Sequence, residues 1–304
     1  MRRKLRIGTR GSELARTQTQ WVIGLLAARA PEVDFELVDV VTTGDARRDA
    51  PLQSLGVGVF VATLRGALLR GDVDAAVHSY KDVPTDPAAG LTVACVPERA
   101  RPWDALVSRH GGGLRSLPAG ARLGTSSVRR SAFLRAVRPD LEIAALRGNI
   151  DTRLGKVSED GLDAVVLACA GLDRTGRASA ISEALGPEIL PPAPAQGALA
   201  IEVRADDVAT QALVSGIACA ATSAAVRAER ACLHAFGGGC HVPLAAWAEA
   251  SDGVVRLHAA VAAVDGSRVV RAMAESATTD PERAGREAAA QLAEAGAHAL
   301  AECG

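Results

Sequence analysis

The opening third of the chain alternates short apolar runs with stretches in which apolar residues recur every three or four positions. Residues 5–8 predict a strand, and the spacing from Leu14 to Ala28 predicts a helix with Ser12 as its N-cap. The same two patterns predict two further strands with one helix between them: residues 35–41, about 60–69, and 73–77. Strands that alternate with helices in this way are typical of parallel-rich α/β sheets.

Parts of this pattern recur later in the chain in the same order. Arg6-Ile7-Gly8-Thr9 is matched by Arg122-Leu123-Gly124-Thr125, and residues 71–77 are matched by residues 161–166. A single short match can arise by chance, whereas two matches in the same order favour a duplication. We therefore predict two similar α/β lobes with a ligand site in the cleft between them.

Prolines and a change of pattern predict where the domains begin and end. The proline-containing stretches near residues 97–103 and 190–194 predict the crossings between lobes, and the second of them cannot lie inside a helix. We predict a discontinuous first domain, a second α/β lobe and a small α+β third domain: residues 1–98 with 196–217, residues 103–191, and residues 220–304. An apolar run at 198–203 predicts a strand that returns to the first lobe. The third domain is expected to contain a helix, three strands and a C-terminal alanine-rich helix, the first four of them at about 224–235, 244–248, 254–264 and 268–274.

Composition narrows the class of protein. The 304 residues are 48% hydrophobic and 23% charged with a net charge of −1, which indicates a folded chain without bulk attraction to nucleic acid or membrane. Six cysteines without a CxxC pair predict reduced thiols. The N-terminus lacks the apolar stretch of a signal peptide, and no run approaches the ~18 apolar residues of a membrane span. We expect a cytoplasmic protein, and a monomer, since no heptad pattern is present.

Arginine stands beside hydroxyl or amide side chains at three predicted strand–helix junctions. These junctions are Arg10-Gly11-Ser12, residues 125–130 and residues 147–153. Helix N-termini favour anions, and open α/β sheets bind ligands at the carboxyl ends of their strands. A surface arginine beside a serine cap explains any one junction, but the three together predict a ligand with several carboxylates or phosphates. No phosphate-loop or dinucleotide motif accompanies them, so a nucleotide is not indicated.

Two other segments have unusual chemistry. Residues 78–85 form a polar segment at the end of a predicted strand. It contains Lys81, one of only three lysines in the chain, and Asp82, which precedes Val-Pro. A turn here either directs the Asp82 carboxylate into the cleft, or Asp82 only caps the turn. Cys240 follows three glycines in a loop that a bulky group can approach. The runs around Cys95 and Cys169 instead predict buried, inert thiols in strands.

A zinc site formed by Cys232, His234, Cys240 and His241 is conceivable. Their spacing matches no standard zinc pattern, so we predict no metal.

Six motifs follow one another along the chain: Gly8-Thr9-Arg10-x-Ser12, His78-Ser79-x-Lys81-Asp82-Val83-Pro84-Thr85, Gly124-Thr125-Ser126-Ser127-Val128-Arg129-Arg130, Leu146-Arg147-Gly148-Asn149-x-x-Thr152-Arg153, Gln196-Gly197-Ala198 and Gly238-Gly239-Cys240. Each motif is weak alone, but six in register are specific. Over essentially its whole length the chain resembles the porphobilinogen deaminase (hydroxymethylbilane synthase) family.

The resemblance implies a transferase of tetrapyrrole and haem biosynthesis with two lobes like those of type II periplasmic binding proteins and a small α+β C-terminal domain. Four porphobilinogen molecules would be joined head to tail, each losing ammonia, onto a covalent dipyrromethane cofactor, and water would release hydroxymethylbilane. The resemblance assigns the thioether attachment to Cys240 and catalysis to Asp82. The cofactor and substrate would be bound by Arg10, Ser12, Lys81, Thr125, Ser127, Arg129, Arg130, Arg147, Gly148, Arg153 and Gln196.

The chain departs from the family pattern in two places. Leu55-Gly56-Val57-Gly58-Val59-Phe60 is one residue shorter than the family's flexible segment and lacks its polar side chain, and Arg101-Pro102-Trp103-Asp104 replaces Asp-Pro-Arg-Asp. Neither change affects Asp82 or Cys240, so we predict retained activity. The alternatives are a catalytically weakened paralogue and a non-catalytic, two-lobed polycarboxylate-binding protein. A nucleic-acid binder is disfavoured, because net charge and aromatic content are both low.

Overall fold

The computed structural model describes residues 3–40, 58–159, 161–237 and 242–302. The chain divides into two compact units, and each unit contains two separate segments of the sequence. The first unit is Met1–Arg99 with Ala198–Ser223, and the second unit is Ala100–Gly197 with Ala224–Gly304.

The first unit is built on a five-stranded sheet of order β2-β1-β3-β10-β4. Its strands are β1 (Arg3–Thr9), β2 (Val33–Asp39), β3 (Ala75–Ser79), β4 (Leu91–Cys95) and β10 (Leu199–Arg204). β1 runs parallel to β2 and β3, whereas β10 is antiparallel to β3 and β4. The helices are α1 (Glu13–Arg29), α2 (Gly58–Arg70) and α6 (Val208–Ser215). The predicted return of the 198–203 strand to the first sheet is confirmed.

The second unit contains a five-stranded sheet of order β7-β6-β8-β5-β9. Its strands are β5 (Asp104–Ser108), β6 (Arg122–Gly124), β7 (Glu142–Ala144), β8 (Ala164–Ala168) and β9 (Glu183–Leu185). The helices are α3 (Val128–Val137), α4 (Ile150–Glu159) and α5 (Cys169–Arg174). Both five-stranded sheets thus place one antiparallel strand fourth in otherwise parallel order, which is the type II arrangement. The predicted fold class is confirmed.

The two sheets repeat each other in register as well as in order, which supports the predicted duplication. In both, the strand that opens the repeat pairs with the third strand through two residues: Ile7–Ala75 and Gly8–Ala76 in the first sheet, and Leu123–Ala164 and Gly124–Val165 in the second.

A polar contact is repeated with this register. The Asp74 carboxylate accepts a hydrogen bond from the backbone N–H of Arg6 at 2.9 Å, and the Asp163 carboxylate accepts one from the N–H of Arg122 at 2.8 Å. Each carboxylate belongs to the residue directly before the third strand of its sheet, so that it fixes the start of that strand against the strand that opens the repeat. The sequence match therefore reflects a repeated structural unit and not chance.

A second, three-stranded sheet completes the second unit. Its antiparallel strands β11 (Leu244–Ser251), β12 (Val254–Ala262) and β13 (Val269–Ala277) lie in that order, with helices α7 (Ala220–Ala235), α8 (Pro281–Glu294) and α9 (Ala297–Glu302). One sheet face packs on these helices through Val255 and Leu257. Ala245 and Ala260 lie on the other face and share a core with Phe133 of α3. The α+β character predicted for this part is confirmed, while the three predicted domain boundaries stay a prediction.

Local differences from the predicted elements have simple causes. Cys169 was expected inside a strand, and that prediction is wrong: β8 ends at Ala168, and Cys169 is the first residue of α5. A short helix that follows an apolar strand without a polar cap leaves no break in the apolar pattern. Among the described residues no single helix is long and apolar enough to cross a membrane; only the bent pair α6 and α7, counted together, meets the length and composition criteria.

Candidate functional site: arginine loops and a carboxylate turn

The loop between β1 and α1 in the first unit contains Arg10 and Ser12. Ser12 is the N-cap of α1, and its hydroxyl accepts a hydrogen bond from the backbone N–H of Ala15 at 3.3 Å. Arg10 is half-buried beside this helix start. The predicted capping role of Ser12 is confirmed, and the N–H groups of the first turn of α1 lie at the carboxyl end of β1.

Lys81 and Asp82 lie in a single 3-10 turn, Tyr80–Asp82, directly after β3. The N–H of buried Tyr80 donates to the carbonyl of Ala198 at 3.0 Å, and that of Val83 donates to the Tyr80 carbonyl at 3.2 Å. Lys81 is exposed and Asp82 is half-buried. Because β1 and β3 are parallel neighbours, this turn and the Ser12 loop follow the same edge of the sheet.

A buried network of ionisable side chains includes β3, the strand that leads into the Asp82 turn. His78, on β3, has its Nε2 3.2 Å from Oε2 of Glu202 on β10, and Arg65 of α2 donates to Oε1 of Glu202 at 2.7 Å. The side chains of His78 and Glu202 are both 3% exposed. Burial raises the pKa of Glu202, but hydrogen bonds and attraction from His78 and Arg65 outweigh it and lower that pKa to about 2. The network therefore holds an ionised carboxylate and joins β3, β10 and α2.

In the second unit the segment before α3 is fixed by its hydroxyl groups. Thr125 Oγ1 accepts a hydrogen bond from the N–H of Ser127 at 3.2 Å, and Ser127 is the N-cap of α3. The Ser126 hydroxyl donates to the carbonyl of Leu146 at 2.9 Å and accepts from its N–H at 2.8 Å. These two hydrogen bonds to Leu146 fix the start of the Arg147 loop against the start of α3.

Arg129 and Arg130 are held by one buried carboxylate, which the sequence did not identify. Asp104, at the start of β5, accepts from Nη2 of Arg129 and from Nη2 of Arg130, each at 2.6 Å. Gln196 Nε2 donates to the same carboxylate at 3.0 Å and to the carbonyl of Pro102 at 2.7 Å. The side chains of Arg129 and Arg130 are only 6% and 9% exposed. These arginines are thus internal parts of the fold, which excludes for this junction the alternative of exposed surface arginines beside a serine cap.

The charge of the carboxylate follows from its partners. Complete burial would raise the pKa of Asp104, but the two guanidinium groups outweigh burial and hold that pKa well below its usual range. Burial in turn lowers the pKa of Arg129.

The Arg147 loop joins β7 to α4 and is the more open part of this region. Arg147 and Gly148 are exposed, and the Gly148 carbonyl accepts from Nε of Arg153 at 2.8 Å. Gly148 has a φ of 108°, and a side chain there would meet Thr152 at 2.6 Å, so glycine is required. Burial, and next the charge of Arg130, lower the pKa of Arg153. A guanidinium that is disfavoured by burial and by a like charge is suited to an incoming anion.

Two other buried groups fix the segment around Gln196. Arg174 donates from Nη2 to the carbonyl of Gly197 at 2.8 Å, and burial lowers its pKa to about 10. The Glu229 carboxylate accepts from the N–H of Ala195 at 2.6 Å and from that of Ala248 at 2.9 Å. Neither residue had been predicted, because their partners are distant in the sequence and their neighbours form no known motif.

Part of the predicted site lies outside the described residues. The structure does not describe Cys240 and His241. It also does not describe Leu55–Val57, the part of the unusual segment that precedes α2. Of the other residues considered as zinc ligands, Cys232 is buried in the apolar core and His234 is exposed. Burial raises the pKa of the thiols of Cys95 and Cys232 to about 12 and that of Cys169 to about 11, so these three are unreactive near neutral pH.

These features define a class of protein: two type II α/β sheets, each with arginine-containing loops at the carboxyl ends of its parallel strands, and an added α+β part. Residues 5–212 match the family model "Porphobilinogen deaminase, dipyromethane cofactor binding domain", and residues 223–294 match "Porphobilinogen deaminase, C-terminal domain". The chain belongs to the porphobilinogen deaminase family.

Relatives of the same name match nearly the whole chain. The porphobilinogen deaminase of Geobacter metallireducens is 46% identical over 299 residues, which cover 98% of this chain and 94% of the relative. That of Nocardia farcinica is 50% identical over 309 residues, covering 97% and 87%. Among solved structures, the methionine binding protein MetQ is 13% identical with a TM-score of 0.43, covering 70% of this chain and 89% of MetQ. The strand order, and not this low score, defines the fold.

Proposed function

We propose that this chain joins four porphobilinogen molecules head to tail onto a dipyrromethane primer, with loss of one ammonia at each step, and releases hydroxymethylbilane by hydrolysis. The observation that best supports this activity is that the family match covers both the cofactor-binding part and the C-terminal part of the chain. The activity is that of a hydroxymethylbilane synthase, a transferase. We also propose that the enzyme is a cytoplasmic monomer. Size-exclusion chromatography with light scattering tests the oligomeric state.

The charge of the second unit fits a cofactor and substrate with many carboxylates. Arg129, Arg130 and Arg153 lie in one electrostatically coupled group, and Asp104 is the acidic residue that pairs with it. The group therefore has a net positive charge of two, most of it in a desolvated environment. Each pyrrole unit has an acetate and a propionate, and arginine binds carboxylates through paired hydrogen bonds.

We assign the acid groups of the cofactor and substrate to the residues that the motifs predicted. In the first unit these are Arg10, Ser12 and Lys81, and in the second they are Thr125, Ser127, Arg129, Arg130, Arg147, Gly148, Arg153 and Gln196. Dipyrromethane, attached by a thioether to Cys240, would supply the terminal pyrrole carbon to which each new unit is joined. Arg129 and Arg130 each already donate to Asp104 and to a backbone carbonyl. The exposed Arg147, and Arg153, whose charged form burial and the charge of Arg130 disfavour, are therefore best placed to meet an incoming carboxylate.

Asp82 is proposed to act on the porphobilinogen that is losing ammonia. As the amine departs, positive charge develops on the substrate's pyrrole ring, and a carboxylate that accepts from the pyrrole N–H stabilises it. The same carboxylate can hold the proton that the amine takes or that the attacked carbon loses. The 3-10 turn fixes the backbone on both sides of Asp82 while leaving its side chain half-buried, so that it remains accessible.

Turnover of porphobilinogen by the purified protein tests this function. We expect ammonia release at four per tetrapyrrole formed, and a loss of about 100-fold or more in kcat for Asp82→Asn with the fold retained. Asp86→Asn, which alters an exposed carboxylate of the same loop, is the matched control and should stay within about twofold of wild type. A wild-type protein that binds the primer but consumes no porphobilinogen would instead indicate the weakened paralogue. Turnover by Asp82→Asn within threefold of wild type would remove Asp82 from this role.

A further inference from the structure

Asp104 binds both members of the arginine pair. Its carboxylate accepts hydrogen bonds from Arg129 and Arg130. On the other side, Nη1 of Arg129 donates to the carbonyl of Pro191, and Nη1 of Arg130 donates to the carbonyl of Val166. Two planar guanidinium groups that are bound on both sides have one orientation each. The positions of their remaining N–H groups therefore depend on the position of one carboxylate, which is 0% exposed.

The fold itself does not require a carboxylate at this place. The register of the repeated sheets shows which residue of the first sheet is equivalent to Asp104. Asp104 pairs with Ala168 in the second sheet, and at the equivalent position of the first sheet Leu199 pairs with Ser79. Leu199 is fully buried and belongs to the apolar core of the first unit. The same strand position therefore forms a stable sheet with leucine. Buried ion pairs often add little to stability compared with apolar residues of similar size, so a role beyond stability is indicated.

Asp104 also connects the arginine pair to the two ends of the segment Ala100–Gly197, which is the first part of the second unit. Gln196 donates to Asp104 and to Pro102, and the N–H of Ala100 donates to the carbonyl of Gly197 at 3.3 Å. Gly197 has a φ of 86°, and a side chain there would meet the Ala100 carbonyl oxygen at 2.5 Å. The two segments are thus in close contact, and the carboxylate connects them to α3.

We propose that Asp104 is a positioning residue of the polymerisation reaction, which holds Arg129, Arg130 and Gln196 in the one arrangement that binds the carboxylates of the primer and growing chain. This proposal rests on the function proposed above. Asp104 itself touches no substrate; it acts through the two arginines. A displacement of about 1 Å in such binding groups can reduce the rate on the order of 100-fold.

The test compares two substitutions of Asp104 with a matched control. Asp104→Asn removes the charge, and Asp104→Glu keeps the charge but moves the carboxylate by one methylene. The control is Asp163→Asn, which removes another carboxylate of the same unit that binds Arg109, His110 and the N–H of Arg122 but none of the predicted ligand residues. Circular dichroism and thermal unfolding establish which variants are folded. Intact mass then gives the fraction of protein with primer, and steady-state kinetics gives kcat and KM for porphobilinogen.

We expect both Asp104 variants, where folded, to have a lower primer fraction than wild type or a KM raised at least tenfold. Asp163→Asn should lose thermal stability with the primer fraction and KM unchanged. If Asp104→Asn does not fold, Asp104→Glu decides, because its charge balance is preserved. Wild-type primer fraction and KM in a folded Asp104 variant would overturn the proposal while leaving the proposed function intact. A wild-type enzyme without activity would overturn both.

Discussion

The buried Glu202 of β10 provides a quantitative test of the electrostatics in the first unit. In Glu202→Gln the carboxylate that Arg65 and His78 share is removed while the shape of the side chain is kept. The pKa of Glu202 falls from 4.5 to about 2 on folding, and each unit is worth about 1.4 kcal/mol, so the charge contributes about 3 kcal/mol at pH 7.

The pH dependence has a definite sign. Because the pKa of Glu202 is lower in the folded state, its contribution is complete above the unfolded value near 4.5 and is lost as the pH falls toward 2. The difference between wild type and Glu202→Gln should therefore shrink by roughly half by pH 3.

Hydrogen exchange followed by mass spectrometry measures this difference locally. Peptides that cover β3 and β10 should exchange about 100-fold faster in Glu202→Gln at pH 7, whereas peptides from β5 and β8 in the second unit should be unchanged. Glu36→Gln is the matched control, since its partner Lys4 is 61% exposed and such a surface pair is worth less than about 1 kcal/mol. Exchange within threefold of wild type at pH 7, or a difference that does not shrink in acid, would refute this account of Glu202.

Two further predictions concern the repeated sheet and the Arg147 loop. Gly124→Ala should lower the free energy of unfolding by about 1–3 kcal/mol, because its new methyl group would lie 2.8 Å from Leu162 Cδ1. Gly24→Ala, in an open part of α1, should raise it by up to about 1 kcal/mol. Thermal unfolding measures both effects, and equal effects would contradict the packing argument. Ser126→Ala should cost about 1–2 kcal/mol by breaking both bonds to Leu146, whereas Ser131→Ala, which loses one bond to the Ser127 carbonyl, should cost less than half as much; denaturant unfolding distinguishes them, and a Ser126→Ala effect no larger than that of Ser131→Ala would be inconsistent with this account.

The sequence pattern predicts the parts of this fold that depend on local order. Apolar spacing and the Ser12 cap locate α1, and the recurrence of Gly8-Thr9 as Gly124-Thr125 predicts the repeated sheets, because each match lies within a few residues of chain. The ends of the strands follow less closely from the sequence pattern. The strand predicted at 73–77 is Ala75–Ser79, since the carboxylate of Asp74 binds Arg6 and the ladder begins after it.

Contacts between distant residues could not be predicted in this way. Asp104 lies 25 and 26 residues from its arginines and 92 from Gln196, and Glu202 lies 137 residues from Arg65. No periodicity connects such positions. One local signal was available: an acidic residue begins the apolar run Ala105-Leu106-Val107, and a charge that precedes a buried strand needs a partner. The motif matches predict a ligand-binding role for Arg129 and Arg130, which stays a prediction, and they give no sign that both side chains are almost completely buried.

Intact mass measures directly whether this member of the porphobilinogen deaminase family has its primer attached to Cys240, as proposed. The purified wild-type protein should be heavier than its sequence by two linked pyrrole units, and Cys240→Ala should have the unmodified mass. Cys219→Ala, which alters a partly exposed cysteine, should retain the added mass. A fully active wild-type protein of unmodified mass, or an adduct that persists in Cys240→Ala, would contradict the account.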